Sequence, residues 1–156
     1  MEAVEITSAS QEDAEAILHL QHEAYQSEAR LYNDWNIPPL TQTMAQFLVE
    51  LRANLVLKAV SGSALLGSVR ARNDNGVVHI GRLIVAPAAQ RRGIGGSLLR
   101  AVETHFANAR CFELFTGTQS EGNIRLYRKH GYEVAHEKNL SPGIALVFMR
   151  KLNEHP

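Results

Sequence analysis

The sequence predicts a mixed α/β fold, in which one central mixed sheet carries helices on both faces. Hairpin turn signals join the strands in the middle of the chain, so these strands should run antiparallel. A strand–helix–strand unit follows, and such a crossover is the usual link between parallel strands. The predicted order is β-α-α-β-β-β-α-β-α-β-β, in a single domain spanning residues 1–156.

The first third of the chain supplies a strand and two helices. Residues 4–8 are predicted to be a strand, and Ser10 opens a cap-then-acid pattern typical of a helix start. Residues 27–40 have mixed polarity and end in a proline pair, so we expect an irregular loop of the kind that often has a function. Residues 41–53 have helical apolar spacing and predict the second helix.

The rest of the chain alternates strands with two more helices. The Asn-Asp-Asn-Gly sequence at 73–76 is a hairpin turn signal, and Gly131 is placed to end a helix. Predicted strands cover residues 55–60, 64–71, 77–85, 111–116, 132–137 and 144–150, and predicted helices cover 97–109 and 121–130.

The most informative segment lies between Leu83 and Leu99. Apolar β-formers end at Pro87, which has no N–H for a sheet ladder, and a basic, glycine-rich loop then leads into a helix. Glycines allow close backbone approach, and the unpaired N–H groups of a helix start favour a phosphate. The residues of this predicted anion cradle are Gln90, Arg91, Arg92, Gly93, Ile94, Gly95, Gly96 and Ser97.

Two common phosphate-binding motifs fit this loop poorly. A P-loop would need a lysine before the serine, and a dinucleotide fingerprint would need a glycine where Leu98 stands. The loop instead resembles Q/R-x-x-G-x-G/A, the acetyl-coenzyme A signature of the GNAT acetyltransferase superfamily, and the order of elements also resembles the GNAT fold. This resemblance implies acetyl-coenzyme A as co-substrate, no metal, and backbone contacts to the acetyl and pantetheine groups from Leu83, Ile84 and Val85.

A second block, from Asn123 to Tyr132, resembles the family's asparagine-and-tyrosine helix. Asn123 and Tyr127 are four residues apart, so they share one helix face. The resemblance implies that Asn123 contacts the pantetheine arm and that Tyr127 protonates the departing thiolate. Tyr127 could otherwise be a core residue. Arg128 is a candidate for the 3′-phosphate of the cofactor or, alternatively, a solvated surface charge.

His79 is our predicted general base, because imidazole accepts a proton near neutral pH. It lies four residues before Leu83 in the same predicted strand, so the two side chains should share a face. Many relatives carry glutamate here, and a half-buried structural histidine is the alternative. Glu23, Glu28 and Asp34 are reserve candidates.

Composition narrows the function further. The first 50 residues hold nine acidic residues and one arginine, a formal charge of −8, which favours a small cationic amine as acceptor. The sequence has no stripe of basic residues interleaved with aromatic ones, so we do not expect it to bind nucleic acid. No apolar run approaches the ~20 residues of a membrane span. The single cysteine, Cys111, is expected to be a core residue and suits a reducing cytoplasm.

We therefore predict a cytoplasmic N-acetyltransferase that moves acetyl directly to a primary amine. A protein lysine or N-terminus is the alternative acceptor, and a non-catalytic acetyl-coenzyme A sensor is the alternative from another class. Family resemblance also makes a homodimer possible.

Overall fold

The computed structural model describes residues 3–154, which fold around one seven-stranded sheet in the order β1-β2-β3-β4-β5-β7-β6. Only β4 and β5 run parallel, and every other neighbouring pair is antiparallel. The strands are β1 (Glu5–Ser8), β2 (Leu55–Ser61), β3 (Ala64–Asp74), β4 (Val77–Val85), β5 (Cys111–Gly117), β6 (Glu133–Ser141) and β7 (Ile144–Leu152). The helices are α1 (Ala14–Ala24), α2 (Gln26–Tyr32), α3 (Pro38–Thr41), α4 (Met44–Ala53), α5 (Ile94–His105) and α6 (Glu121–Lys129).

The predicted fold class is confirmed, with one difference in the first third of the chain. Two helices, α2 and α3, occupy the segment that we expected to be irregular. Asn33 ends α2 in a left-handed conformation, with φ of 50°. Pro38 and Pro39 start α3 because proline's fixed φ suits a first turn. The mixed composition hid these short helices, whose faces are set by tertiary contacts.

Helices cover both faces of the sheet, as predicted. Helix α5 packs Leu98, Leu99 and Val102 into the larger core, and all three are fully buried. Ile17 of α1 and Phe47 of α4 form a smaller core on the opposite face. Each such side chain contributes about 1.5–3 kcal/mol by burial, so the two cores hold the layers together.

The parallel strands β4 and β5 separate towards their carboxyl ends. Only Val77, Val78 and His79 of β4 pair with β5. From Ile80 onward, the side of β4 that faces β5 therefore has no strand partner among the described residues. On the other side, β4 pairs with β3 through a bulge, in which Arg82 and Leu83 lie opposite one β3 residue. The separation leaves a cleft between the two strands, and the candidate site lies there.

Within residues 3–154, no helix is long and apolar enough to cross a membrane. The same part of the chain contains no group of three or more His, Cys, Asp or Glu residues that could hold a metal ion.

Candidate active site

The predicted anion cradle forms at the start of α5. Gly93 is the N-cap residue, with φ of 76°, and a Cβ added there would meet no atom within 4 Å. Gln90, Arg91 and Arg92 are exposed beside it. The first hydrogen bond within the helix runs from the Ser97 N–H to the Gly93 carbonyl, so the preceding N–H groups are available to an anion.

Gly95 and Gly96 have a different role from Gly93. Both are buried, and a Cβ on Gly95 would lie 3.2 Å from Cδ2 of Leu126, while one on Gly96 would overlap the His130 ring. These glycines therefore allow α5 to pack closely against α6. Their backbone N–H groups still lie in the first turn of α5, so their contact with a phosphate stays a prediction.

The end of β4 presents backbone groups to the cleft. Ile84 and Val85 pair with β3 on one side, and the opposite side of the strand has no strand partner among the described residues. Leu83 and Val85 pack against the core on the α5 face. An extended amide chain such as pantetheine can hydrogen-bond to a strand edge of this kind.

Tyr127 lies on α6 at this cleft and is 6% exposed. Burial raises the pKa of its phenol, and the neighbouring Tyr25 and Glu28 raise it further. The group is therefore fully protonated at neutral pH. Within residues 3–154 its hydroxyl makes no hydrogen bond, so its proton is available to a ligand.

Glu28 of α2 is held beside Tyr127 by polar side chains. The Ser120 hydroxyl lies 2.7 and 2.8 Å from the two carboxylate oxygens. The Asn123 amide nitrogen donates to Glu28 Oε1 at 3.4 Å and to Thr116 Oγ1 at 3.3 Å. Asn123 and Tyr127 therefore both lie beside the Glu28 carboxylate, on the helix face that their spacing predicts they share. Glu28, a reserve candidate from the sequence, is part of the candidate site.

Tyr32 fastens α2 over the end of β5. Its hydroxyl accepts a hydrogen bond from the Gln119 N–H at 2.8 Å, and its ring tip occupies the space where a Cβ on Gly117 would lie. Only glycine at position 117 allows this contact. This contact holds α2 beside the connection between β5 and α6, where Glu28 meets Ser120.

A second group of polar residues lies on the α1 side of β4. Arg70 and Arg82 line a small cavity there together with Glu50, which is paired with Arg70. Arg82 also acts electrostatically on the hydroxyl of the half-buried Tyr25. Burial raises the pKa of Tyr25, and the positive charge of Arg82 partly offsets this. Tyr25 also acts electrostatically on Tyr127, so this group borders the site.

His79 does not share a face with Leu83, and that expectation is wrong. Val78 and Ile80 point into the core on the α5 face, so strand alternation directs His79 to the opposite face. The bulge at Arg82 adds a residue and reverses the alternation, which returns Leu83 to the α5 face. His79 lies where β4 still pairs with β5, opposite Glu113 and Arg72.

Arg128 is exposed near the end of α6, where it lines a surface groove. The other residues of that groove are Gly131, Tyr132, Glu133 and Val134, so it includes none of the cradle residues. Cys111 is buried, as expected for a core cysteine.

Sequence reasoning missed Tyr25, Arg82 and Ser120, whereas Tyr32 lies in the 27–40 segment that we expected to have a function. Arg82 carried a usable signal, because it is a charged residue inside the apolar strand VVHIGRLIV. Tyr25 and Ser120 carried no such signal, since only the folded chain brings α2 over the end of β5.

Comparison with known proteins identifies the family and the fold. A family model of the acetyltransferase (GNAT) domain matches residues 8–153. The PaiA N-acetyltransferase from Thermoplasma acidophilum, solved in complex with coenzyme A, has a TM-score of 0.80 at 20% sequence identity, covering 96% of this chain and 99% of its own. The fold is thus that of an N-acetyltransferase.

Two Bacillus subtilis proteins are similar in sequence. The uncharacterized N-acetyltransferase YjcF is 30% identical over 91 residues, which are 58% of this chain and 64% of YjcF. The UPF0157 protein YqkA is 26% identical over 133 residues, which are 85% of this chain but 38% of YqkA. The chain therefore matches less than two thirds of either relative. With the family model matching nearly its whole length, the chain belongs to the GNAT acetyltransferase family.

Proposed function

We propose that this chain is an acetyl-coenzyme A-dependent N-acetyltransferase that transfers acetyl directly to the primary amine of a small molecule. The observation that carries the proposal is one cleft bordered by an unpaired strand edge on β4 and the protonated hydroxyl of Tyr127. A cofactor arm along β4 would bring its thioester to Tyr127, with its phosphates at the start of α5.

The cradle suits the phosphates of coenzyme A. Gly93 leaves open space above the first N–H groups of α5, and the exposed Arg91 and Arg92 add positive charge next to them. Family membership and the coenzyme A complex of the Thermoplasma relative support the same cofactor. Leu83, Ile84 and Val85 would contact the acetyl and pantetheine groups through their backbone, and an N–H near the carbonyl would stabilise the developing oxyanion.

The reaction requires proton transfers at two atoms. The acceptor reaches the site mostly as an ammonium ion, because alkyl amines have a pKa of ~10, and it must lose a proton before attack. As the C–N bond forms and the C–S bond breaks, Tyr127 gives its proton to the thiolate. The second proton that the nitrogen loses as it becomes an amide restores the phenol. Glu28 would hold the ammonium ion, and His79, through water, would accept its proton.

A thiol-release assay tests the proposed function. The protein is incubated with acetyl-coenzyme A and a panel of primary amines, and free thiol is measured together with mass-spectrometric detection of the N-acetyl product. We expect one or more amines to give stoichiometric thiol and product. Tight binding of acetyl-coenzyme A without amine-dependent thiol release would favour the sensor alternative instead.

The roles of Glu28 and His79 predict different kinetic defects. Glu28→Gln keeps the size of the side chain but removes its charge, so KM for the amine should rise about tenfold while kcat changes little. His79→Ala should lower kcat about ten- to a hundredfold.

Steady-state kinetics from pH 5 to 9 on both variants separates these roles. If Glu28→Gln lowers kcat and flattens the pH profile while His79→Ala does neither, Glu28 is the proton acceptor and our assignment of His79 fails.

The acceptor could instead be a protein amine, and the two cases differ in size selection. Tyr32 and Glu28 hold α2 over the end of β5 and the start of α6. This cover supports the proposal of a small-molecule acceptor. A lysine-containing peptide that outcompetes every free amine in the same assay would reverse this proposal.

We further propose a cytoplasmic homodimer. All nine residues of the edge strand β6 are exposed, and Leu140 is 57% exposed, which supports pairing with a second copy. Light scattering in solution distinguishes a dimer from a monomer.

A further inference from the structure

Arg82 is a cation on the α1 side of β4, and no carboxylate within residues 3–154 forms an ion pair with it. Arg82 interrupts an otherwise apolar strand and has a φ of 51°, a conformation that costs a residue with a side chain about 1 kcal/mol or more. Its Nε is buried and makes no hydrogen bond within residues 3–154. The charge of the same guanidinium acts on the Tyr25 hydroxyl.

The surrounding charges do not balance Arg82. Arg70 is the next cation, and it is already paired with Glu50. The two guanidinium side chains line one cavity together with Glu50. Burial and the positive charge of Arg82 both lower the pKa of Arg70. Only Arg70 is paired with that carboxylate, so the charge of Arg82 has no counterpart there among the described residues. Because an uncompensated charge in a buried setting is costly, an anionic group bound here would be strongly favoured.

The negative charge of Glu28 lies near the same tyrosines. Glu28 and Arg82 both act electrostatically on Tyr25, and Glu28 also acts on Tyr127. The candidate thiolate acid therefore lies near a carboxylate, and Tyr25 lies between the influence of that carboxylate and that of a guanidinium. A ligand that reaches both charged groups needs a positive and a negative group a few bonds apart.

The geometry points to a zwitterionic acceptor, a primary amine that carries a carboxylate in the manner of an amino acid. Its ammonium group would bind Glu28, and its carboxylate would bind Arg82, as guanidinium and carboxylate groups match in shape and charge. This inference rests on the proposed N-acetyltransferase function and replaces the simple cationic amine expected from charge patterning with a narrower class.

The test compares primary amines that differ only in the carboxylate. A panel of the twenty common amino acids, their carboxamides and their decarboxylated amines is assayed by thiol release. We expect the best substrate to carry a carboxylate and to exceed its own carboxamide by about ten- to a hundredfold in kcat/KM. A best substrate without a carboxylate overturns the inference but leaves the acetyltransferase function intact. No turnover of any amine, with acetyl-coenzyme A bound, removes the function and the inference together.

Variants of Arg82 test whether this residue reads the carboxylate. Arg82→Met fills similar space without charge, so the preference for the acid over its carboxamide should fall to near one, mainly through KM. Arg82→Lys keeps the charge and should retain part of the preference. The ratio of two substrates on one protein sample is insensitive to a loss of folded enzyme. An unchanged ratio in Arg82→Met would show that Arg82 is only structural.

Discussion

Replacing Tyr127 with phenylalanine should lower kcat about a hundredfold while leaving the Kd for acetyl-coenzyme A within about twofold. The substitution removes only the hydroxyl. That group makes no hydrogen bond to the described chain, so the ring should stay packed beside Tyr132 and the cleft should keep its shape. The loss then reports the proton that the thiolate no longer receives.

The pKa shift sets the expected pH behaviour of this step. Burial keeps the pKa of Tyr127 above its usual value, so the phenol holds its proton throughout the range in which the enzyme can be assayed. Deprotonation of Tyr127 should therefore cause no decline in kcat up to about pH 9. Any alkaline decline below that pH would have to come from another group.

Tyr132→Phe is the matched control for this prediction. Tyr132 is a second buried tyrosine five residues along, and its hydroxyl donates to Glu103 at 2.9 Å on the core side of α5. Losing that bond should cost about 1 kcal/mol of stability and leave kcat nearly unchanged. Equal turnover in wild type and Tyr127→Phe, measured at saturating amine, would exclude Tyr127 as the thiolate acid.

The sequence was sufficient for those parts of the fold that depend on local patterns. The hairpin turn at Asn75 and Gly76 has the positive φ values that its sequence requires, and Gly131 follows α6 with φ of 93°. The basic glycine loop also lies at the start of α5, as predicted. Each of these features is specified by a few adjacent residues, so sequence reasoning could find it.

Features that depend on one added residue or on a distant contact were not accessible in this way. The bulge at Arg82 shifts the alternation of β4 by one, and this single shift separates His79 from the face of Leu83. Glu28 reaches the site only because Tyr32 binds the backbone at Gln119, 87 residues away in the chain. Catalytic assignments that rest on strand parity are therefore the least secure kind of sequence inference here.

Gly67→Ala should be among the most destabilising single-methyl changes in the sheet, with a cost of about 2 kcal/mol. A Cβ at this position would lie 2.7 Å from the backbone carbonyl oxygen of Ile84, and 3.2 and 3.3 Å from side-chain carbons of Leu98 and Ile94. A backbone oxygen cannot rotate away as a side chain can. The strands must separate, or α5 must move outward.

Both movements would reach the cofactor site, so stability and binding should fall together. Ile84 belongs to the β4 segment whose edge faces the cleft, and Ile94 is both a cradle residue and the first residue of α5. We expect Tm to fall by about 4–8 °C and the Kd for coenzyme A to rise several-fold. Thermal unfolding and isothermal titration calorimetry measure the two effects on the same preparation.

Gly122→Ala provides the opposite case within one chain. Gly122 lies in the first turn of α6, is exposed, and a Cβ there would meet nothing within 4 Å. Because alanine is the better helix former, this change should raise stability by up to about 1 kcal/mol and leave coenzyme A binding unchanged. Equal stability of Gly67→Ala and Gly122→Ala would contradict this prediction. It would show that the close packing of β3, β4 and α5 does not determine the position of the cradle.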